Sequence, residues 1–168
     1  MADKRSLPNR QTIRLPHFDY ASQGAYFVTI VAANRQCVFG EVIGGQLQAT
    51  TLGRIVQEEW LATAAVRPGV KLEAFVLMQN HVHGIIGLPA SKITDASGSL
   101  ATVVRGFKAA VTKRHRLNVS DPDATVWQRN YYEHIIRDEK DWNAIHAYIA
   151  GNPCRWAEDS ENPVHSRK

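Results

Sequence analysis

In "VLMQNHVHGII", residues 76–86, two histidines stand one residue apart inside an otherwise apolar run. Side chains alternate across a strand, so on a strand His81 and His83 project from one face and Val82 from the other. Two imidazoles fixed at that spacing can turn a ring nitrogen each toward one cation, which then needs a third protein ligand and open positions for water or substrate. Burying two polar rings without partners is costly, which weighs against plain core histidines. Further along, "NAIHAYIAGNP" sets Tyr148 and Asn152 four residues apart, on one face of any helix that persists to its end. A phenol, with a reference pKa of about 10, is a poor nucleophile at neutral pH and needs a charged electrophile held in place. A cation on the histidines that grips a phosphate meets that need, and Asn152 offers a carboxamide oxygen to complete its shell. Helix spacing alone favours a blander reading, in which Tyr148 packs beside Ile145 and Ile149.

These residues need a scaffold, and the pattern around them supplies one. "AYFVTIVAA" from Ala25 is an aromatic and β-branched run of the kind buried strands use. "CVFGEVIGGQLQA" holds two short runs about Gly44 and Gly45, a hairpin signal. Leu52, Ile55, Val56 and Trp60 then recur at helical spacing, ending near Pro68 and Gly69. "KLEAFVLM" and "HVHGIIGL" read as strands joined at Gln79 and Asn80, with Asn tolerating the left-handed backbone of a tight turn. After a loop containing Ser and Gly, Leu100, Val103, Val104, Phe107 and Val111 form the buried stripe of a second helix. "DPDATVWQRN" reads as loop and "YYEHII" as a short strand. A last helix opens at Asp138, a good N-cap, and stops at "GNP" around Pro153. Without the ribbon and the last helix this is βαββαβ, an α+β plan of the ferredoxin-like kind, in which the histidine strand lies inside an antiparallel sheet.

The length of 168 residues suits one compact domain, taken as an arm over 1–23 and a core over 24–160. The formal net charge is +4, and its distribution is uneven. Residues 101–118 hold Arg105, Lys108, Lys113, Arg114 and Arg116 with no acid among them, and the arm adds Lys4, Arg5, Arg10 and Arg14. Clustered positive charge is the footprint of a protein that meets phosphates, although a solvated helix face explains it equally well. Arg105, Lys108, Thr112 and Arg116 share a face apart from the apolar stripe, so the patch is expected to point outward. Cys37 and Cys154 lie far apart, without zinc-site or disulfide spacing. The polar first residues lack the apolar core of a signal peptide, and no apolar run approaches the roughly 20 residues of a membrane span. A cytoplasmic protein with reduced thiols is expected.

Taken together, "MQNHVHGII", "GSLATVVRGFKAAVTK", "VWQRNYYEHIIRDE" and "YIAGNPCRWAED" resemble the REP-associated tyrosine transposases, one-tyrosine members of the HUH single-strand endonucleases. The resemblance spans roughly residues 10–160. It implies His81 and His83 as ligands of Mg²⁺ or Mn²⁺ with no organic cofactor, Tyr148 as the nucleophile that forms a 5′-phosphotyrosine link, and Asn152 as third ligand. His134 falls in a family motif with its role open between proton transfer, DNA contact and structural hydrogen bonding. Many relatives carry Pro where this chain has Gln79, which alters the turn more than the ligands. Gly151, directly before Asn152, is a residue type that often ends helices.

The expected substrate is single-stranded DNA bearing hairpins of the REP kind, met in the cytoplasm at the nucleoid by a monomer or a homodimer. Arg105, Lys108, Lys113 and Arg114 would offset phosphate charge, and Arg129 and Asn130 would contact bases. Two other classes remain at this stage. In one, water is the nucleophile of a metal-dependent phosphodiesterase and Tyr148 is structural; in the other, the protein binds DNA hairpins without cutting them.

Overall fold

The computed structural model describes residues 24–89 and 99–166; the arm expected over 1–23 and most of the loop before the second helix lie outside them. The elements are β1 (Gly24–Val31), the ribbon strands β2 (Gly40–Ile43) and β3 (Gln46–Ala49), α1 (Thr51–Ala65), β4 (Lys71–Leu77), β5 (His81–Leu88), α2 (Leu100–Val119), β6 (Tyr132–Ile136) and α3 (Glu139–Gly151). A 3-10 turn, Pro153–Glu158, continues from α3. Removing the ribbon and α3 leaves βαββαβ. The main sheet has the order β4-β5-β1-β6 and every neighbouring pair is antiparallel, the ferredoxin-like arrangement expected from the pattern. The histidine strand β5 is interior.

Local chemistry accounts for the element ends. Gly44 and Gly45 both adopt positive φ, +60° and +76°, as a two-residue hairpin turn between twisted strands requires. Thr50, Ser99 and Asp138 each accept a hydrogen bond from a backbone N–H three residues on, capping α1, α2 and α3.

The sheet carries a helical layer on each face. Tyr26, Val28 and Ile30 of β1 and Val82, Ile86 and Leu88 of β5 pack with Leu52, Ile55, Val56 and Trp60 of α1 and with the α2 stripe Leu100, Val103, Val104, Phe107 and Val111. At Gly84 a Cβ would stand 2.4 Å from the Trp60 ring, so glycine is what lets the indole lie against β5. The opposite face is smaller: Phe27 and Ile85 meet Ile145 and Ile149 of α3. His81 and His83, alternating with Val82, belong to this α3 face.

The turn into β5 corrects one expectation. Asn80 is not among the residues with positive φ, so it is not there for backbone tolerance. It is fully buried, and its side chain makes three hydrogen bonds.

Candidate active site

His83 pairs in register with Thr29 of β1, and Thr29 pairs with Tyr132 of β6, so one row of side chains crosses the sheet beneath α3. Both histidines are buried. Their Nε2 atoms are 2.9 Å apart. Asp159, which follows the Pro153–Glu158 turn, brings its Oδ2 to 3.7 Å from His81 Nε2. Ligand atoms of His81, His83 and Asp159 all lie within 4.8 Å of one another.

The outer nitrogens fix how the rings face inward. The Asn80 amide nitrogen donates to the carbonyls of Arg35 and Glu161 at 3.1 and 2.7 Å. Its Oδ1 is therefore the atom 2.8 Å from His81 Nδ1, and His81 donates to it from that nitrogen. The Nε2 of neutral His81 is then a lone pair turned toward His83 and the Asp159 carboxylate. His83 Nδ1 is 2.8 Å from Thr29 Oγ1, a hydroxyl able to donate or accept. Burial, then the neighbouring His83 and Arg35, lowers the His81 pKa from its ordinary value to about 2. Burial lowers that of His83 to about 3. Neutral imidazoles beside a carboxylate, with donor atoms converging, fit a divalent metal cation.

Tyr148 stands on the last turn of α3 with its hydroxyl 3.3 Å from His83 Nε2. Phe27 fixes this geometry from below: it stacks on the His83 ring at 5.2 Å and meets the Tyr148 ring edge-on at 6.1 Å. Burial and then the Asp159 charge raise the phenol's pKa, while the neighbouring Asn152 carboxamide lowers it. Gly151 does not break the helix: Asn152 keeps right-handed helical angles, φ −62° and ψ −44°. Its carboxamide is buried beside the Tyr148 hydroxyl.

The expected basic face does not point outward as a whole. Lys108 is partly buried, its ammonium donating to the carbonyls of Gln128, Arg129 and Asn130. Burial lowers its pKa. Arg114 is paired with Glu58 and Glu59 of α1, and Arg116 donates to the carbonyl of Ala124. Arg105, Lys113, Arg129 and Asn130 are exposed. His134 is bonded to Asp141 at 2.8 Å, tying β6 to the first turn of α3.

Three residues of this site escaped sequence reasoning: Asp159, Thr29 and Asn80. Asp159 lies eleven residues after Tyr148, beyond Pro153, where no periodicity links it to the histidines.

The sequence pattern described as "Transposase IS200 like" matches residues 22–152. The chain belongs to the IS200-like transposase family. His81, His83, Tyr148 and Asn152 fall inside the family's span, whereas Asp159 follows it. An uncharacterised protein of Haemophilus influenzae is 42% identical over 169 residues, covering 91% of this chain and 93% of its own. Among solved structures, a REP-associated tyrosine transposase bound to a REP hairpin superposes with a TM-score of 0.63 at 22% identity, over 86% of this chain and 74% of that one. Two α+β folds thus coincide. No helix among the described residues is long and apolar enough to cross a membrane.

Proposed function

We infer that this family member cleaves and rejoins single-stranded DNA bearing hairpins, with Tyr148 as the nucleophile. The observation that carries the reading is the Tyr148 hydroxyl 3.3 Å from His83 Nε2, at the edge of a buried His–His–Asp cluster. The hairpin as ligand is suggested by the DNA-bound structural relative, and by a chain whose formal charge is +4.

The chain's residues divide the work. His81, His83 and Asp159 would hold Mg²⁺ or Mn²⁺, with the Asn152 carboxamide as a further candidate ligand beside Tyr148. The ion, when bound, supplies Lewis-acid polarisation of a phosphate oxygen. Phe27 and the last turn of α3 hold the phenol against that place. Its oxygen forms a bond to phosphorus, the bond from phosphorus to the 3′-oxygen breaks, and the phenolic proton passes through solvent to that departing oxygen, which leaves as a 3′-hydroxyl. The 5′-phosphotyrosine retains a phosphodiester, so a later 3′-hydroxyl can reverse the step and rejoin strands without ATP. Burial and Asp159 keep the phenol protonated at neutral pH, so an apo protein should be inert. His134 is a tether for α3 in this reading. Such a protein acts at the nucleoid, in the cytoplasm.

The test is to incubate the protein with Mn²⁺ and hairpin-bearing single strands from the genome that encodes it, then digest with trypsin. A DNA 5′ end attached to the peptide "DWNAIHAYIAGNPCR" supports the reading. Strand cleavage without any adduct would assign the attack to water, and no cleavage despite bound metal would leave a hairpin binder.

A further inference from the structure

On the far side of β6 from the histidines lies a groove of about 880 Å³, between α2 and the segment that leads into β6. Ala109, Leu117 and Trp127 line it with apolar and aromatic surface, the first two exposed and Trp127 half-buried, and Lys113, Arg116 and Arg129 line it as well. No carboxylate lines it among the described residues. The walls are fixed: Lys108 ties down the carbonyls of residues 128–130, and Arg116 holds that of Ala124. Trp127 is wedged against Phe39 and Phe107.

Cations beside apolar and aromatic surface match a single nucleic-acid strand, whose bases have apolar faces and whose backbone is anionic. The chain's own alternatives match poorly. Residues 1–23 carry Lys4, Arg5, Arg10 and Arg14 against Asp3 and Asp19, and a second copy is also net positive.

The groove also connects to the site. Gln128 donates its backbone N–H to Val31, the register partner of His81. Four residues on, Tyr132 pairs with Thr29, whose hydroxyl touches His83. The Tyr132 ring is 48% exposed on the histidine side of the sheet, edge-on to Phe27. Residues 128–132 therefore continue β6 along β1 as the sheet edge, from the groove at Trp127 to the rim of the site at Tyr132, a span of at most about 13 Å. That is the length of about four stacked nucleotides at roughly 3.4 Å each.

We propose that this path is the track of an unpaired DNA segment adjoining the hairpin, with one base on Tyr132, later bases in the groove against Trp127, and phosphates on Lys113, Arg116 and Arg129. The proposal rests on the DNA-cleaving reading above and adds where the unpaired strand goes: round the β6 edge, onto the face that carries no catalytic group.

Full-length protein with Tyr148→Phe, which cannot cleave by the proposed route, would be irradiated with hairpins whose unpaired extension carries 5-iodouracil at successive positions. Crosslinks are expected in the tryptic peptides "NYYEHIIR", which holds Tyr132, and "LNVSDPDATVWQR", which holds Trp127, from positions about four nucleotides apart. Filling the groove with Ala109→Phe, or removing the ring with Tyr132→Ala, should each weaken binding of the extended hairpin about tenfold and leave a blunt hairpin unaffected. Lys113→Ala with Arg129→Ala should flatten the logarithmic salt dependence by about 1.4. Crosslinks confined to residues 1–23, or an Ala109→Phe protein that binds the extended hairpin as wild type does, would overturn the track. Neither readout needs cleavage: crosslinks on the track without any Tyr148 adduct in wild type would sink the nucleophile alone, and adducts with crosslinks elsewhere would sink the track alone.

Discussion

The two faces of β5 are built from one strand and do opposite things. Val82, Ile86 and Leu88 point into a continuous, largely apolar core against α1 and α2, where shape decides. His81 and His83 point into the α3 face, where each outer ring nitrogen has a partner and the inner ones converge. The lesson is a division between the two layers. The apolar layer anchors the strand and supplies stability, and the polar layer can therefore keep two neutral imidazoles and a carboxylate packed together without stabilising the fold itself.

Substitutions on adjacent residues should separate the layers. His81→Ala is expected to abolish both Mn²⁺ binding and strand cleavage, while the protein still unfolds cooperatively. Val82→Ala, one residue on, should cost about 2 kcal/mol of stability through the cavity it leaves and keep metal binding intact. Loss of Mn²⁺ affinity in Val82→Ala, read by calorimetric titration, would show that the layers are not independent. Gly84→Ala drives a methyl to within 2.4 Å of Trp60 and should destabilise by about 1–3 kcal/mol, read from denaturant midpoints.

The titration of the histidines sharpens the contrast further. Their folded-state values of about 2 and 3 lie below the ordinary value of 6.5, so acid protonates them in the unfolded chain first. Stability is then full above about pH 6.5 and is lost as pH falls toward the folded values. Between pH 7.5 and 5.5 the metal-free protein should lose about 3 kcal/mol, roughly 1.4 for each ring. Urea titrations in EDTA at the two pH values check this, and His83→Gln should halve the loss.

Asp159→Asn should weaken Mn²⁺ binding by about 10- to 100-fold, with Asn152→Ala having the smaller effect. The reverse order would make Asn152 the third ligand. The smallest contrast lies on α2: Arg105→Ala should flatten the logarithmic salt dependence of DNA binding by about 0.7, whereas Arg114→Ala, whose guanidinium is engaged by Glu58 and Glu59, should leave it unchanged.

Sequence and structure agree most where a repeating period sets the answer. The α2 stripe and the β5 alternation were legible because burial of one face forces spacings of 3.6 and 2 residues. The Gly44–Gly45 turn was legible because positive φ at two successive positions selects glycine. The pairing of His81 with His83 was legible for the same reason as the strand, and Tyr148 with Asn152 through helix spacing. Asp159 was not, because a 3-10 turn after Pro153 carries it back to β5 and such a turn leaves no period. Lys108 and Arg114 misled because a charge pattern marks a helix face but not the carbonyls or carboxylates that meet it. Asn80 misled in the same way, since its residue type suits a strained turn and its actual use is to aim His81.

The central claim is that Tyr148 is the attacking group, and Tyr148→Phe tests it most directly because it deletes one oxygen and keeps the ring beside Phe27. Single-turnover cleavage of a hairpin-bearing strand in Mn²⁺ would be followed for this variant beside wild type, with calorimetry confirming that it still binds the ion. Tyr148→Phe is expected to keep wild-type metal affinity, form no covalent adduct and leave every strand uncut. Cleavage by Tyr148→Phe at the wild-type rate would contradict the claim and make water the nucleophile.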